Sequence, residues 1–321
     1  MIQLDEVTKL YKTVIGVNDI NLSLEPGTYG LLGPNGSGKT TLINLILGQL
    51  RPTIGRVRLF GKNPWVNDGL LRRIGLCPAL EVNYPRVSGL DWVQYLTQMH
   101  GFTSAEAHRR AVDAMEQVKM MHAMQRPMRN YSLGMRQRTK LAQAIAHDPD
   151  LLILDEPFNG LDPMGRIDMI DFLKSWRKRD KSLILASHIL HEVEAVDPSF
   201  LLISGGRLLA SGSPEHVRSI LMDTPNTISI RCNEPRRLSA ELFAIDTVTN
   251  VRVVDNINPN EPGKIEVDTL SAADLYQRLP AIVSEHEIDI VEMQAADESL
   301  KHLFSTLMRI HRGEAHGGSL S

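Results

Sequence analysis

Cysteine is almost absent: the 321 residues hold two, Cys77 and Cys232. They stand far apart and in no paired motif, which excludes a disulfide framework and fits a reducing compartment. An excess of one charge is also missing. Lysine and arginine number 35 against 38 aspartates and glutamates, a net charge of −3. That balance gives no electrostatic reason to expect nucleic acid as the main partner. Long hydrophobic runs are missing too. The strongest, residues 151–154 and 183–186, are strand-length, whereas a spanning helix needs about 20 apolar residues. The N-terminus, MIQLDEVTKLYK, has no basic region followed by an apolar stretch and so is not a secretory signal. The expectation is a cytoplasmic protein that meets a membrane only through a partner.

What is present is an ordinary globular composition, 42% hydrophobic and 23% charged, in a chain long enough for about two domains. Strand-like alternation opens the chain at residues 2–4 and 21–24, with a Pro26-Gly27 turn after it. A short apolar strand at 29–32 leads through a glycine-rich loop into a helix expected over 40–50. Residues 85–147 are helical in pattern, 151–154 and 183–186 are buried strands, and 200–211 is a hairpin with Gly205-Gly206 at its tip. Mixed elements with apolar strands indicate an α/β core. The character changes after Gly212-Ser213-Pro214. A helix at 215–222 precedes strand 227–232, helix 238–244, strands 248–254 and 264–268, helix 272–285 and strand 288–293. A last helix covers 298–310, with apolar Leu300, Leu303, Phe304, Leu307 and Met308 along one face. The order is ferredoxin-like. The expected domains are 1–215, with a helical subdomain at about 85–147, then 216–312, then a frayed tail at 313–321.

Gly33-Pro34-Asn35-Gly36-Ser37-Gly38-Lys39-Thr40 fits G-x-x-x-x-G-K-[ST]. Glycines let the backbone wind so that successive N–H groups point at phosphate oxygens, and the following helix adds its positive end. Lys39 supplies a mobile charge for the β- and γ-phosphates, and Thr40 offers a hydroxyl to Mg²⁺. Gly33, Asn35, Gly36, Ser37, Gly38, Lys39, Thr40 and Thr41 are therefore the expected nucleotide-binding residues, and ATP with Mg²⁺ the expected cofactors.

Four apolar residues at 151–154 end in Asp155-Glu156. A buried strand delivers both carboxylates to the carboxyl edge of the sheet, where phosphate loops also sit. Consecutive strand residues point to opposite sides, which gives the two acids different jobs. Asp155 is the expected Mg²⁺ ligand, through its water shell, and Glu156 the expected general base.

Between these motifs lies Tyr131-Ser132-Leu133-Gly134-Met135-Arg136-Gln137-Arg138, which looks like the signature of the ABC ATPases, usually written LSGGQ. Asn159-Gly160-Leu161-Asp162 is similar to that family's D-loop, and Ser187-His188 follows a strand as its switch histidine does. Their order and spacing resemble the family over about residues 1–215. The resemblance implies a P-loop core with a helical subdomain and two copies, or two related subunits, packed head to tail around ATP. Ser132 and the Gly134 amide would then meet the γ-phosphate across the interface, beside Asp162. His188 would hold that phosphate and orient Glu156 and the water. Tyr11 stands where the family often stacks an aromatic on adenine, although a tyrosine closing a strand is common anyway. Signature variant, single ATPase domain and C-terminal extension resemble exporter-type subunits, which work on separate integral-membrane permeases at the cytoplasmic face.

One position departs from the pattern. Where the family carries a glutamine after the strand at 74–76, this chain has Ala79, with Glu81 as a substitute if the loop shifts. Ala79 motivates a binding-only regulatory subunit as one alternative, and a soluble ABC ATPase acting on ribosomes or DNA is another. The single phosphate loop and lack of sustained heptads disfavour the latter. Residues 84–99 match the surface on which family members dock permeases. The methionines Met115, Met120, Met121, Met124 and Met128 are expected mostly in helical core, and His191 is expected to be structural.

Overall fold

Alternation at the start of the chain builds a sheet. In this computed structural model, which describes residues 1–65, 67–80, 84–196, 198–212, 226–254 and 262–295, β1 (Ile2–Tyr11) and β2 (Val14–Leu24) pair antiparallel. β3 (Thr28–Leu32) carries the chain to the phosphate loop and α1 (Lys39–Ile46). The helix is shorter than the expected 40–50, because Gly48 turns left-handed at φ 70° and a Cβ there would lie 2.2 Å from Pro64 O. β4 (Ile54–Leu59), which the sequence reading passed over, pairs with the other edge of β1 and completes a three-stranded sheet, β2-β1-β4.

Next come α2 (Asp68–Leu71) and β5 (Ile74–Cys77). The expected helical stretch resolves into α3 (Gly89–Met99), α4 (Ser104–Gln117), a 3₁₀ turn at Met128–Asn130 and α5 (Leu133–Ile145). Ser88, Thr103 and Ser132 start the three helices, each accepting an N–H from the residue three places on. Met115, Met120 and Met128 are buried, whereas Met121 is exposed. α5 closes on β5 so tightly that a Cβ on Gly75 would lie 2.0 Å from Ala144 O.

β6 (Leu151–Asp155) and β7 (Ser182–Ser187) are buried at every position, as strands covered on both faces must be. Between them runs α6 (Pro163–Arg177), with Asp162 as its cap and proline in its first turn. After α7 (Leu190–Glu194), β8 (Ser199–Ser204) and β9 (Arg207–Gly212) form the expected hairpin. The large sheet has the order β5-β6-β7-β3-β8-β9, parallel except for β9. One hydrophobic cluster joins Ile2 and Leu4 of β1, Leu42 and Leu45 of α1, and Leu31, Ile153 and Ile184 of the large sheet. The helix behind the phosphate loop is thus packed between two sheets.

The chain divides into two compact units, Met1–Pro214 and Glu215–Ser321. Within the second, β10 (Asn226–Cys232), α8 (Pro235–Phe243), β11 (Val248–Val254), β12 (Gly263–Thr269), α9 (Ala272–Glu285) and β13 (Ile290–Ala295) follow the ferredoxin-like order. The antiparallel sheet runs β11-β12-β10-β13. Ile228, Ile230, Ile265 and Val267 pack with Leu238, Leu242, Leu275 and Leu279 of the helices. The polar neighbours along the same strands pair among themselves, as in Arg231–Glu292 at 3.3 Å and Thr227–Asp268 at 2.6 Å. β13 begins at Ile290 rather than 288, since Ile288 is drawn into the core and its N–H donates to Val283 O. The helices expected at 215–222 and 298–310, the tail at 313–321 and Glu81 lie outside the described residues. Among the described residues no helix is long and apolar enough to cross a membrane.

Candidate functional site

The loop between β3 and α1 is shaped by backbone that only glycine tolerates. Gly36 and Gly38 have φ of 78° and 106°, in the left-handed region. A Cβ on Gly33 would lie 2.3 Å from Ile203 O and 2.4 Å from Ser37 Oγ; one on Gly38 would lie 2.5 Å from Gly16 O. Gly206, at the tip of the β8–β9 hairpin, donates to Ser37 O at 2.9 Å and accepts from Asn18 N at 2.7 Å. The hairpin therefore ties the loop to β2. Lys39 is buried, its ammonium donating to Gly33 O at 2.7 Å and reaching Pro34 O at 3.4 Å. Thr40 and Asn35 are exposed, and the buried Ser37 hydroxyl has no partner among the described residues.

The acids lie across from this loop. Thr40 Oγ1 donates to Asp155 Oδ2 at 2.9 Å. Asp155 is buried, and its other oxygen accepts nothing from the described residues. Burial, and then the negative charge of Glu156, pushes its carboxyl above the usual range, opposed by the Thr40 hydrogen bond and the charges of Lys39 and Lys140. The strand ends at Asp155, and Glu156 turns away from it at φ 51° with its N–H on Ala186 O. A non-glycine residue in this conformation stores about 1–3 kcal/mol. It aims the carboxylate into the site, where Oε1 lies 3.4 Å from Lys39 Nζ and Oε2 lies 2.8 Å from His188 Nδ1. The Lys39 contact is within ion-pair reach but outside hydrogen-bond geometry, so Oε1 counts as a buried acceptor without a donor. Lys39, Thr40, Asp155, Glu156 and His188, spread over 150 positions of sequence, meet in one place.

Ser132, Gly134 and Asp162 form a second locality. Ser132 is the exposed cap of α5. Gly134 lies against residues 160–161: a Cβ on it would sit 3.2 Å from Gly160 O, and one on Gly160 would sit 2.2 Å from Leu133 Cγ. Asp162 accepts Gly165 N–H at 2.8 Å as the cap of α6. Tyr11 ends β1 half-exposed, its ring over Gly16 and beside Thr41; a Cβ on Gly16 would be 2.6 Å from the ring and 2.9 Å from Thr41 Cγ2.

Several participants were not singled out from the sequence. Ser187 Oγ lies 3.5 Å from Glu156 Oε2 and 3.3 Å from Glu192 Oε2, and Glu192 lies 3.2 Å from Arg166. Lys140 on α5 is buried and donates to Pro78 O at 2.9 Å and Leu80 O at 3.3 Å, on the loop that carries the exposed Ala79. A lysine facing inward between Thr139 and Leu141 was the available signal. Among the described residues no group of His, Cys, Asp and Glu could hold a metal by itself, and His191 is exposed on α7.

Comparison with known proteins bears on the family and the fold. The family profile described as ABC transporter matches residues 17–159. The bacitracin transport ATP-binding protein BcrA of Bacillus licheniformis is 35% identical over 312 residues, covering 96% of this chain and 97% of that protein. An ABC transporter ATP-binding protein of Synechocystis is also 35% identical over 218 residues, covering 65% of this chain and 61% of that relative. The cassette MJ0796, solved as a dimer in a post-hydrolysis state with ADP and Pi, superposes with a TM-score of 0.62 over 66% of this chain and 98% of that one, at 22% identity. With this phosphate loop, these paired acids and that near full-length relative, the chain belongs to the ABC transporter family as an ATP-binding, ATP-hydrolysing subunit.

Proposed function

We propose that the protein drives export through separate integral-membrane permease subunits, by closing and opening a dimer around ATP at the cytoplasmic face of the membrane. The observation that carries the chemistry is Glu156, a carboxylate 3.4 Å from Lys39 and 2.8 Å from His188, next to the Thr40–Asp155 pair. Glu156 takes the proton of the attacking water as general base. His188 orients that carboxylate through Nδ1 and presents its other ring nitrogen to the γ-phosphate. Lys39, already inside the loop on Gly33 O, turns to the β- and γ-phosphates, cradled by the N–H groups of 33–41. Tyr11 stacks on the adenine.

The oxygen set fits Mg²⁺. Thr40 Oγ1 and the unpartnered Asp155 Oδ1 are hard donors side by side, and they would hold the ion directly and through its water shell. Bound there, Mg²⁺ neutralises charge on the phosphates. Ser132, the Gly134 amide and Asp162 act on the nucleotide of a partner subunit, a second copy or a related ATPase; the exposed Ser132 and Asp162 and the half-buried Gly134 beside 160–161 support that reading. Export is supported by the Tyr131–Arg138 signature variant, the second unit, and a relative named for bacitracin transport that aligns over 96% of this chain.

Glu156→Gln purified with ATP should run as a dimer on size exclusion while hydrolysing almost nothing; a monomer under those conditions overturns the closing mechanism. Extraction of a tagged chain from membranes should bring down polytopic permease subunits. Ribosomal proteins, or no membrane protein, would overturn the transport reading.

A further inference from the structure

Behind the catalytic carboxylate lies a second buried acid that ATP hydrolysis as described does not use. Glu192 on α7 is 4% exposed. Its Oε2 lies 3.3 Å from Ser187 Oγ, and the same hydroxyl lies 3.5 Å from Oε2 of Glu156. Ser187 Oγ also accepts the Ile189 N–H at 3.1 Å, so its one proton must choose between two carboxylates. The choice follows acceptor strength. Glu192 Oε1 lies 3.2 Å from Arg166 Nη1, close enough to pair but outside hydrogen-bond geometry, and the arginine is 42% exposed. Arg166 stands in the first turn of α6, its N–H on the carbonyl of the cap residue Asp162.

We propose that Arg166 and Glu192 are positioning residues through which helix α6 and the segment 159–162 control, by way of the Ser187 hydroxyl, how firmly Glu156 is held for catalysis. With Arg166 on Glu192, that carboxylate is a weaker acceptor and Ser187 turns its proton to Glu156. With Arg166 withdrawn, an unneutralised Glu192 captures the hydroxyl, and Glu156 keeps only His188 as donor. A partner subunit that engages residues 159–162 moves the first turn of α6, so assembly reaches the base within one chain. Burial, the largest influence on Glu192, pushes its carboxyl upward, with Arg166 and Ser187 opposing; loss of the arginine thus leaves a costly buried charge seeking a donor.

The inference rests on Glu156 as general base, so full-length wild type and Glu156→Gln are compared first: equal ATP hydrolysis by the two sinks that reading and this one with it, whereas a loss in Glu156→Gln leaves the variants below to decide this one alone. Arg166→Met should lower kcat about tenfold, the worth of roughly 1.4 kcal/mol, with ATP affinity and melting temperature close to wild type. Glu192→Gln removes the competing charge, so the double variant R166M/E192Q should regain kcat, and R166M added to Ser187→Ala should cost nothing further. Full activity in R166M overturns the proposal. So does a loss that E192Q leaves in place at matched melting temperature, or losses in R166M and S187A that multiply. If R166M fails to fold, Arg166→Gln takes its place and is read by the same criteria, alone and combined with E192Q and S187A.

Discussion

His147 offers a stability test worked directly from geometry. The ring is 7% exposed, donates through Nε2 to Ile74 O at 2.9 Å, and lies flat against His100 with centroids 3.7 Å apart and planes 10° from parallel. Its Nδ1 has no hydrogen-bond partner among the described residues. Burial, joined by the neighbouring His100, lowers its pKa from 6.5 to about 4, against weaker upward pulls from the Ile74 carbonyl and Asp148. A base whose folded pKa is depressed resists protonation in the fold while the unfolded chain takes the proton freely. Its contribution is therefore complete above the unfolded value, 6.5, and is lost as pH falls from there towards 4. At about 1.36 kcal/mol per unit, the loss amounts to about 2 kcal/mol by pH 5 and about 3 kcal/mol by pH 4. His147→Gln keeps an amide donor for Ile74 O and cannot titrate. Urea unfolding of wild type and variant at pH 7.5 and 5.0 should show a pH penalty about 2 kcal/mol smaller in the variant. Equal pH dependence in the two proteins, or an NMR titration placing the His147 ring at 6 or above, would refute the reasoning.

Other substitutions probe the site. Gly38→Ala meets both φ 106° and the Gly16 carbonyl at 2.5 Å, so it should cost about 1–3 kcal/mol in chemical denaturation and abolish binding of a fluorescent ATP analogue. Tyr11→Ala should weaken ATP two- to tenfold in the same assay, in line with about 0.5–1.5 kcal/mol for aromatic contacts, while Tyr11→Phe should bind normally. Lys140→Met strands the carbonyls of Pro78 and Leu80 and should lower stability by about 1–3 kcal/mol, read from urea midpoints. Leu242→Ala, fully buried in the second unit, should cost that unit about 2–5 kcal/mol, visible as loss of protection in hydrogen exchange of β10 and β12.

The site was legible wherever chemistry is local in the chain. Eight contiguous residues define the phosphate loop because its function needs consecutive amides, and residues 151–156 declare themselves because a fully buried strand has no polar alternation to blur its end. What escaped is what folding brings from afar. Glu192 and Arg166 stand 26 positions apart on different helices, and nothing in either neighbourhood anticipates their pairing. β4 was missed because Arg56 and Arg58 surround its two inward side chains, Val57 and Leu59, so only pairing with β1 makes the segment a strand. The left-handed backbone at Glu156 was invisible as well; alternation along a strand predicts that the two carboxylates point apart, but what separates them is a turn after the strand has ended. In the second unit the element order survived because β10 and β12 alternate buried and polar positions, while α8 starts earlier than expected, at Pro235, and β13 runs Ile290–Ala295 rather than 288–293.

The glycine contacts behind the phosphate loop bear on the thermodynamics of its ligand. Gly16, Gly38 and Gly206 bring three backbone segments within van der Waals contact, and the Gly206 and Asn18 amides lock them together. The loop is thus wound by its neighbours before any phosphate arrives. A nucleotide meeting such a cradle orders little chain on arrival, so the usual entropic cost of fixing a glycine-rich segment falls on folding instead of on binding. Calorimetry should accordingly find a small heat-capacity change at this loop, and ADP should leave as easily as ATP came, the loop keeping its shape for the next molecule.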